Sequence, residues 1–359
     1  MRKSRRILAV LFTFILAMTV ITGCGKKDNE SSNSPSEKSD KTEQTTKDSK
    51  DGEKTTEEFT KDDAGEYNIA MLKGPTAIGF IKAWDDSDNG NTMNKYNVTA
   101  YGAADEITAG LIKGDIDIAA VPCNLASVLY NKTEGKIKVA AVNTLGVLYM
   151  VSTSGDIKSV SDLKGKTVYS TGQGTTPEYT LNYILEKNGL KPGVDVKIEY
   201  KSEATEVAAA MSEAEDAIAM LPQPYVTTVL SQNENMKIVL DMTEEWKKVS
   251  GDSSLVTGVV IVRNEVLEGN EKAFKQFLKD YRESTEYVNA NVEDAGALVE
   301  KHDIFKAAVA TKAIPYCNIK FIEGDEMKAD IASYLEVLNT ANPQSVGGKL
   351  PDDNFYYIQ

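Results

Sequence analysis

Two short turns carry the residue types that could grip a small molecule. Gly74-Pro75-Thr76 and Gly172-Gln173-Gly174-Thr175-Thr176 each follow a β-rich run and open into a helical stretch. A glycine turn at a helix start exposes backbone N–H groups at the positive end of the helix dipole, where a ligand's polar group can bind beside threonine hydroxyls. Gly74 and Thr76 stand one hundred residues before Gly174 and Thr176.

The same offset returns downstream. Residues 104–130 (ADEITAGLIKGDIDIAAVPCNLASVLY) align without a gap on residues 204–230 (ATEVAAAMSEAEDAIAMLPQPYVTTVL). Each copy reads as helix, strand, proline loop, helix, with Pro122 and Asn124 in one loop and Gln223 and Tyr225 in the other. One offset and one element order predict two similar halves facing each other. Small molecules bind beyond the carboxyl ends of strands in open α/β sheets, a rule that adds Asn143 and Thr144. The candidate binding set is therefore Gly74, Pro75, Thr76, Pro122, Asn124, Asn143, Thr144, Gly172, Gln173, Thr175, Thr176, Gln223 and Tyr225. Each is also an ordinary turn former or cap, and Tyr225 serves equally as a stacking surface or a core aromatic.

Catalysis finds little to work with. The single histidine, His302, cannot furnish a zinc site, and it lies in VEKHDIF on a helix end, where a surface or capping role accounts for it. A hydrolase of cell-wall polymers would need paired carboxylates in a cleft, whereas Asp and Glu here fall mainly on helix faces. No catalytic residue, metal ligand or cofactor is assigned. Only Arg263 and Arg282 occur beyond the N-terminal region, neither on a strand-end loop, which argues against a bidentate arginine clamp. An anion could still be held by the two helix N-termini. With 40 Lys+Arg against 54 Asp+Glu and a formal charge of −14, the chain is unsuited to nucleic acid and mildly favours a neutral or cationic ligand.

The elements that must position these loops follow from periodicity. The 359 residues, 41% of them hydrophobic, can bury a core of the size that usually splits into two lobes. Apolar runs at 67–72, 116–121, 139–142, 167–170, 196–200, 217–221 and 256–262 alternate with amphipathic helices, predicting an α/β fold with mostly parallel sheets and flanking helices. Residues 271–290 place Ala273, Phe274, Phe277, Leu278, Tyr281 and Tyr287 at helical spacing, which predicts one long helix.

The N-terminus reads as an export signal over residues 1–23, with a basic MRKSRR and an apolar run at 7–22. Ile21-Thr22-Gly23-Cys24 resembles the lipobox of bacterial lipoproteins, which implies a diacylated Cys24. Residues 24–62 are rich in Lys, Glu, Asp, Ser and Thr and are expected to form a disordered tether of roughly 35 Å reach. Cys123 and Cys317 remain as an even pair in an exported chain, so the sequence leaves open a bridge or two buried free thiols.

The lipobox at Cys24, MLKGPTAIG at 71–79, GDIDIAAVPCNLA at 114–126, NTLGVLYMV at 143–151, SVSDLKGKTVYSTGQGTTPEYTLNYIL at 159–185 and DAIAMLPQPYVTTVL at 216–230 carry a family likeness. On these segments the chain resembles the substrate-binding lipoproteins of ABC importers, in the nitrate/sulfonate/taurine-type group that also holds the thiamine-pyrimidine-precursor binders. The resemblance implies a two-lobed periplasmic-binding-protein-like type II fold with two hinge crossings, which 145–151 and 255–262 fit. Lobe 1 would combine 65–147 with 257–359, and lobe 2 would be 148–256. It further implies a small polar ligand in an interlobe cleft, an ABC permease as partner, no cofactor, no catalysis, and a monomer held by its lipid at the outer face of the cell membrane. The alternatives are an enzyme on the same fold, like the pyrimidine-precursor synthase, or a lipid-anchored cell-envelope enzyme.

Overall fold

A computed structural model describes residues 59–213 and 217–359. The signal segment 1–23, Cys24 and the tether up to residue 58 lie outside the described residues. The first half of the chain runs β1 (Glu66–Leu72), α1 (Pro75–Ile78), α2 (Ile81–Asp88), β2 (Lys95–Tyr101), α3 (Ala104–Lys113), β3 (Ile118–Pro122), α4 (Cys123–Lys132) and β4 (Ile137–Thr144). It then passes into a second sheet through β5 (Leu148–Ser152), β6 (Thr167–Ser170), α5 (Thr176–Lys187), β7 (Lys197–Tyr200), α6 (Ala204–Glu213), β8 (Ile218–Pro222), α7 (Tyr225–Gln232), β9 (Lys237–Asp241) and α8 (Met242–Val249). The return comprises β10 (Gly258–Arg263), α9 (Asn264–Ala290), α10 (Val292–Lys301), α11 (Ala307–Ala313), β11 (Ile319–Ile322) and α12 (Gly324–Ala341).

The strands form two sheets, ordered β11-β4-β10-β3-β1-β2 and β7-β6-β8-β5-β9. The hundred-residue offset is visible in this order. The pairs β3/β8 and α3/α6 begin one hundred residues apart, and the two sheets share one pattern, in which β2, β1, β3, β10 and β4 correspond to β7, β6, β8, β5 and β9. The sheets are mixed rather than mostly parallel. Only β1–β2, β1–β3, β6–β7 and β6–β8 pair in parallel. The reason is that β10 and β5 each arrive from the opposite half and insert antiparallel beside β3 and β4, and beside β8 and β9.

Side-chain alternation along the central strands feeds two cores. Ala119, Val121, Val259 and Ile261 face one cluster, which continues into the second sheet, while Ile118, Ala120, Val260 and Val262 face the other. Each fully buried aliphatic is worth about 1.5–3 kcal/mol over exposure, so β3 and β10, buried on both faces, anchor the first sheet. Helix α9 lays Ala273, Phe274, Phe277, Leu278, Tyr281 and Val288 on the second cluster. It begins upstream of the expected Glu271, across a kink at Asn270 whose Oδ1 accepts the Ala273 N–H at 2.9 Å.

Residues 59–62, assigned to the tether, are ordered. Phe59 packs on the α9 cluster, Thr60 and Asp63 form a capping box, and Lys272 Nζ holds Asp63 at 2.9 Å. One partly buried aromatic and an ion pair offset the ordering entropy that the composition alone suggested could not be met.

The chain passes between the sheets twice, at 145–147 and 250–257. Neither passage is a strand, because the apolar runs read as crossings are β5 and β10 themselves. Hydrogen bonds tie the two passages together: the Thr257 N–H donates to Thr144 O at 3.1 Å, and its hydroxyl reaches Leu145 O. The return passage is held by Trp246 Nε1 donating to Ser253 O at 2.9 Å.

Candidate functional site

A cleft of about 580 Å³ lies between the sheets, within the range usual for small-molecule sites. Its walls are the loops after β1, β2, β3, β4, β6, β7 and β8 together with the segments that enter β5 and β10. Strand carboxyl ends meet the amino ends of β5 and β10 because those two run antiparallel to their neighbours. The opposing walls touch at the edges. Gly74 approaches Gln223 O closely enough that a Cβ would sit 3.9 Å away, and a Cβ on Gly102 would lie 2.6 Å from the Glu203 carboxylate.

Ten of the thirteen candidates line the cleft: Gly74, Pro75, Thr76, Pro122, Thr144, Gly172, Gln173, Thr175, Thr176 and Tyr225. The other three are turned away. Asn124 is buried behind the wall, where Nδ2 donates to Ser345 O at 2.9 Å and Gly174 O at 3.4 Å. Asn143 points under β10, its Nδ2 donating to Tyr281 Oη at 3.0 Å. Gln223 folds back on α7, its Oε1 accepting from Thr227 N at 3.2 Å and Oγ1 at 2.8 Å.

The threonines are less free than their type suggests. Thr76 Oγ1 donates to Leu72 O at 2.8 Å, Thr175 Oγ1 to Gly172 O at 2.7 Å, and Thr176 Oγ1 to Asn124 Oδ1 at 3.2 Å. Only hydroxyl lone pairs remain for a ligand. The helix starts are weaker anion sites than expected. Helix α1 is four residues long with proline in its first turn, and beside α5 the Glu178 carboxylate takes the Gly174 N–H at 2.5 Å. Gly172 itself is required at its turn: φ is +71°, and a Cβ would meet Thr175 Oγ1 at 2.7 Å and Pro177 Cγ at 2.9 Å.

Tyr225 borders the cleft while its ring packs edge-on against Phe305, centroids 5.0 Å apart. Burial, helped by the nearby Glu203 charge, pushes its hydroxyl up to about 12. The stacking and core readings therefore meet in one side chain.

Sequence reasoning missed two loops. Gly102, Ala103, Ala104 and Asp105 follow β2, and Tyr200, Lys201, Ser202 and Glu203 follow β7. The β7 run reads as a strand in the sequence, so the carboxyl-end rule points to its loop. β2 escaped because KYNVTAY buries only Tyr96 fully. Two cleft hydroxyls, Thr144 Oγ1 and Tyr200 Oη, are buried with no hydrogen-bond partner. Burial pushes the Tyr200 phenol above its ordinary value, with Glu178 and Tyr179 adding to the shift.

Cys123 and Cys317 are free buried thiols. They belong to the two different core clusters that flank the first sheet.

Two mixed sheets facing across a cleft, joined by two passages, define the fold of ABC-importer solute-binding proteins. A crystal structure of an ABC transporter from Parabacteroides distasonis matches with a TM-score of 0.66 at 26% identity, covering 81% of this chain and 98% of that one. The periplasmic aliphatic sulphonate binding protein SsuA from Escherichia coli shares the fold alone, with a TM-score of 0.63 at 17% identity over 79% of this chain and 96% of that one. A binding protein of Brucella abortus (strain 2308) is 27% identical over 186 residues, 52% of this chain and 56% of that protein. The chain thus spans about half the length of the curated relatives it matches. Residues 96–339 match the menaquinone biosynthesis family, and the chain belongs to that family.

Proposed function

We propose that this protein is an extracytoplasmic solute-binding protein, which closes its two lobes on a small polar molecule and delivers it to an ABC permease. The observation that carries the reading is the 580 Å³ cleft walled by loops of both sheets. A ligand touching both walls favours the closed form by its differential contacts. Residues 65–147 with 257–359 move as lobe 1 and 148–256 as lobe 2, bending at the passages 145–147 and 250–257. The ten cleft-lining candidates, joined by the β2 and β7 loops, form the contact surface. The protein acts as a monomer, without a cofactor. Residues 1–23 direct export, and acylated Cys24 holds the body at the outer face of the cell membrane.

The family description favours a second reading, chemistry on the bound solute. Asp105 and Glu203 would be the carboxylates at hand, while no His or Cys lines the cleft.

A thermal-shift screen of sulfonates, nitrate, pyrimidines, polyamines and betaines tests the first reading. A true ligand at one hundred times its dissociation constant stabilises by about 2.7 kcal/mol. Catalytic consumption of a metabolite by the purified protein, with no permease added, would establish the second instead. For the anchor, Cys24→Ser should release the protein from membranes with its ligand site intact, and persistent lipid labelling of that variant would refute the assignment.

A further inference from the structure

Four charged residues line the cleft: Lys73 and Asp105 from the first half, Lys201 and Glu203 from the second. None of the four makes an ion pair within 4 Å among the described residues, unlike the many surface pairs of this chain. Glu203 accepts a hydrogen bond from Thr205 Oγ1 at 3.2 Å, and Lys201 Nζ sits 5.7 Å over the Tyr169 ring, from where its charge also acts on the Glu199 carboxylate. Lys73 and Asp105 stand at the exposed rim, whereas Lys201 and Glu203 are half-buried. Each half thus offers one cation and one anion.

This arrangement is not a by-product of the repeat. At the hundred-residue offset the four positions face Gln173, Thr205, Tyr101 and Ala103, all uncharged. Both described arginines lie elsewhere, Arg263 against Glu265 at 2.6 Å and Arg282 against Glu323. The unpartnered hydroxyls of Thr144, 2% exposed, and Tyr200 add two neutral groups able to donate or accept.

Resting on the solute-binding reading, we propose that the cleft selects a small zwitterion, a molecule carrying one ammonium and one carboxylate or sulfonate. A lone oxoanion would meet two unneutralised carboxylates with no guanidinium fork to hold it. A lone cation would meet two ammonium groups. An uncharged solute would leave these charges to be partly desolvated on closure, with a protein counter-charge at hand only for Lys201, from Glu199. A zwitterion gives each protein charge a partner of opposite sign, and its remaining polar atoms meet the two hydroxyls.

The test is calorimetric titration of the intact protein with matched sets: taurine, ethanesulfonate and ethylamine; γ-aminobutyrate, butyrate and butylamine; glycine betaine; and uncharged pyrimidines. Mass spectrometry of small molecules released by denaturing protein from its own cells accompanies it. The expected result is a zwitterion that binds at least tenfold more tightly than both of its singly charged counterparts, or a zwitterion among the released molecules. Lys201→Met and Glu203→Gln should each weaken that binding at least tenfold while the ligand-free melting temperature holds. A singly charged or uncharged solute that binds more tightly than every zwitterion, or zwitterion binding unmoved by both variants, overturns the inference and leaves the solute-binding reading standing. No binding across the panel together with no released molecule overturns both.

Discussion

Asn124 and Thr176, one in each half of the chain, share a hydrogen bond in which Thr176 Oγ1 donates to Asn124 Oδ1 at 3.2 Å, both side chains being buried. The Asn124 amide also donates to Ser345 O and Gly174 O. One side chain therefore joins α4, the loop before α5 and the C-terminal segment. Asn124→Asp keeps the acceptor, loses both donors and sets a carboxylate against two carbonyls. It should destabilise the protein by about 1–3 kcal/mol in urea unfolding and shift small-angle scattering toward a more open shape. A variant with wild-type unfolding and scattering would show that the bond does not hold the halves together.

Thr144→Val and Tyr200→Phe should act oppositely on stability and binding. Each removes a buried hydroxyl that has no partner, and loss of an unsatisfied polar group is neutral or favourable to the empty fold. Melting temperatures should stay level or rise, while ligand affinity falls by about 0.5–1.5 kcal/mol per lost hydrogen bond. Unchanged affinity in both variants would take these hydroxyls out of the site.

Gly258 opens β10 where the chain re-enters the first sheet. A Cβ there would lie 2.5 Å from Asn143 Oδ1, 3.1 Å from Thr76 Cγ2 and 3.2 Å from Thr144 Cβ. Asn143 is tied to Tyr281 and cannot easily retreat. Gly258→Ala should cost about 1–3 kcal/mol through overpacking, read by denaturant unfolding, and should weaken ligand binding because the floor of the cleft moves.

Asp280 gives a pH signature. Burial raises its carboxyl above the usual value despite hydrogen bonds from Tyr96 and Gln276. An acid whose folded pKa is raised favours the fold when protonated, so wild-type stability declines as pH rises from about 4 through that raised value. Asp280→Asn keeps an oxygen to accept the Tyr96 hydroxyl and carries no charge. Its melting temperature should exceed the wild type's at pH 7, and the advantage should vanish below about pH 4. A variant less stable than wild type at pH 7 would refute the account.

Cys123 and Cys317 are shielded, and burial raises both thiols well above their ordinary value. Folded Cys24→Ser protein should react negligibly with a thiol reagent, and denatured protein should show two thiols. No thiols after denaturation would establish a bridge.

The repeat made much of the fold legible, because helix, strand and proline loop recur at one offset from Ala104 and from Ala204. The strands that the apolar pattern does not mark are β2, β9 and β11, at sheet edges, where only part of each strand is buried. Parallel and antiparallel partners could not be told apart, since Val259 and Val260 are buried whichever way β10 runs. At the site, the carboxyl-end rule located loops but not side-chain direction. Asn124, Asn143 and Gln223 each found backbone or side-chain partners nearer than the cleft. The charges of Lys73, Asp105, Lys201 and Glu203 carry no signal in the sequence because charged residues at strand ends ordinarily face water.

The position of β10 sets an order of events during synthesis. It lies between β3 and β4, which do not pair with each other, and it is made only after every strand of the second sheet. No strand of the second sheet follows Asp241. As the chain emerges, that half can complete its sheet while the first remains two unjoined pieces, with the hydrogen-bonding edge of β3 bare. Such an edge invites pairing with other chains. A chain interrupted before Gly258 would therefore carry one completed sheet, one adhesive half and no receptacle, so the step most exposed to aggregation falls late in synthesis.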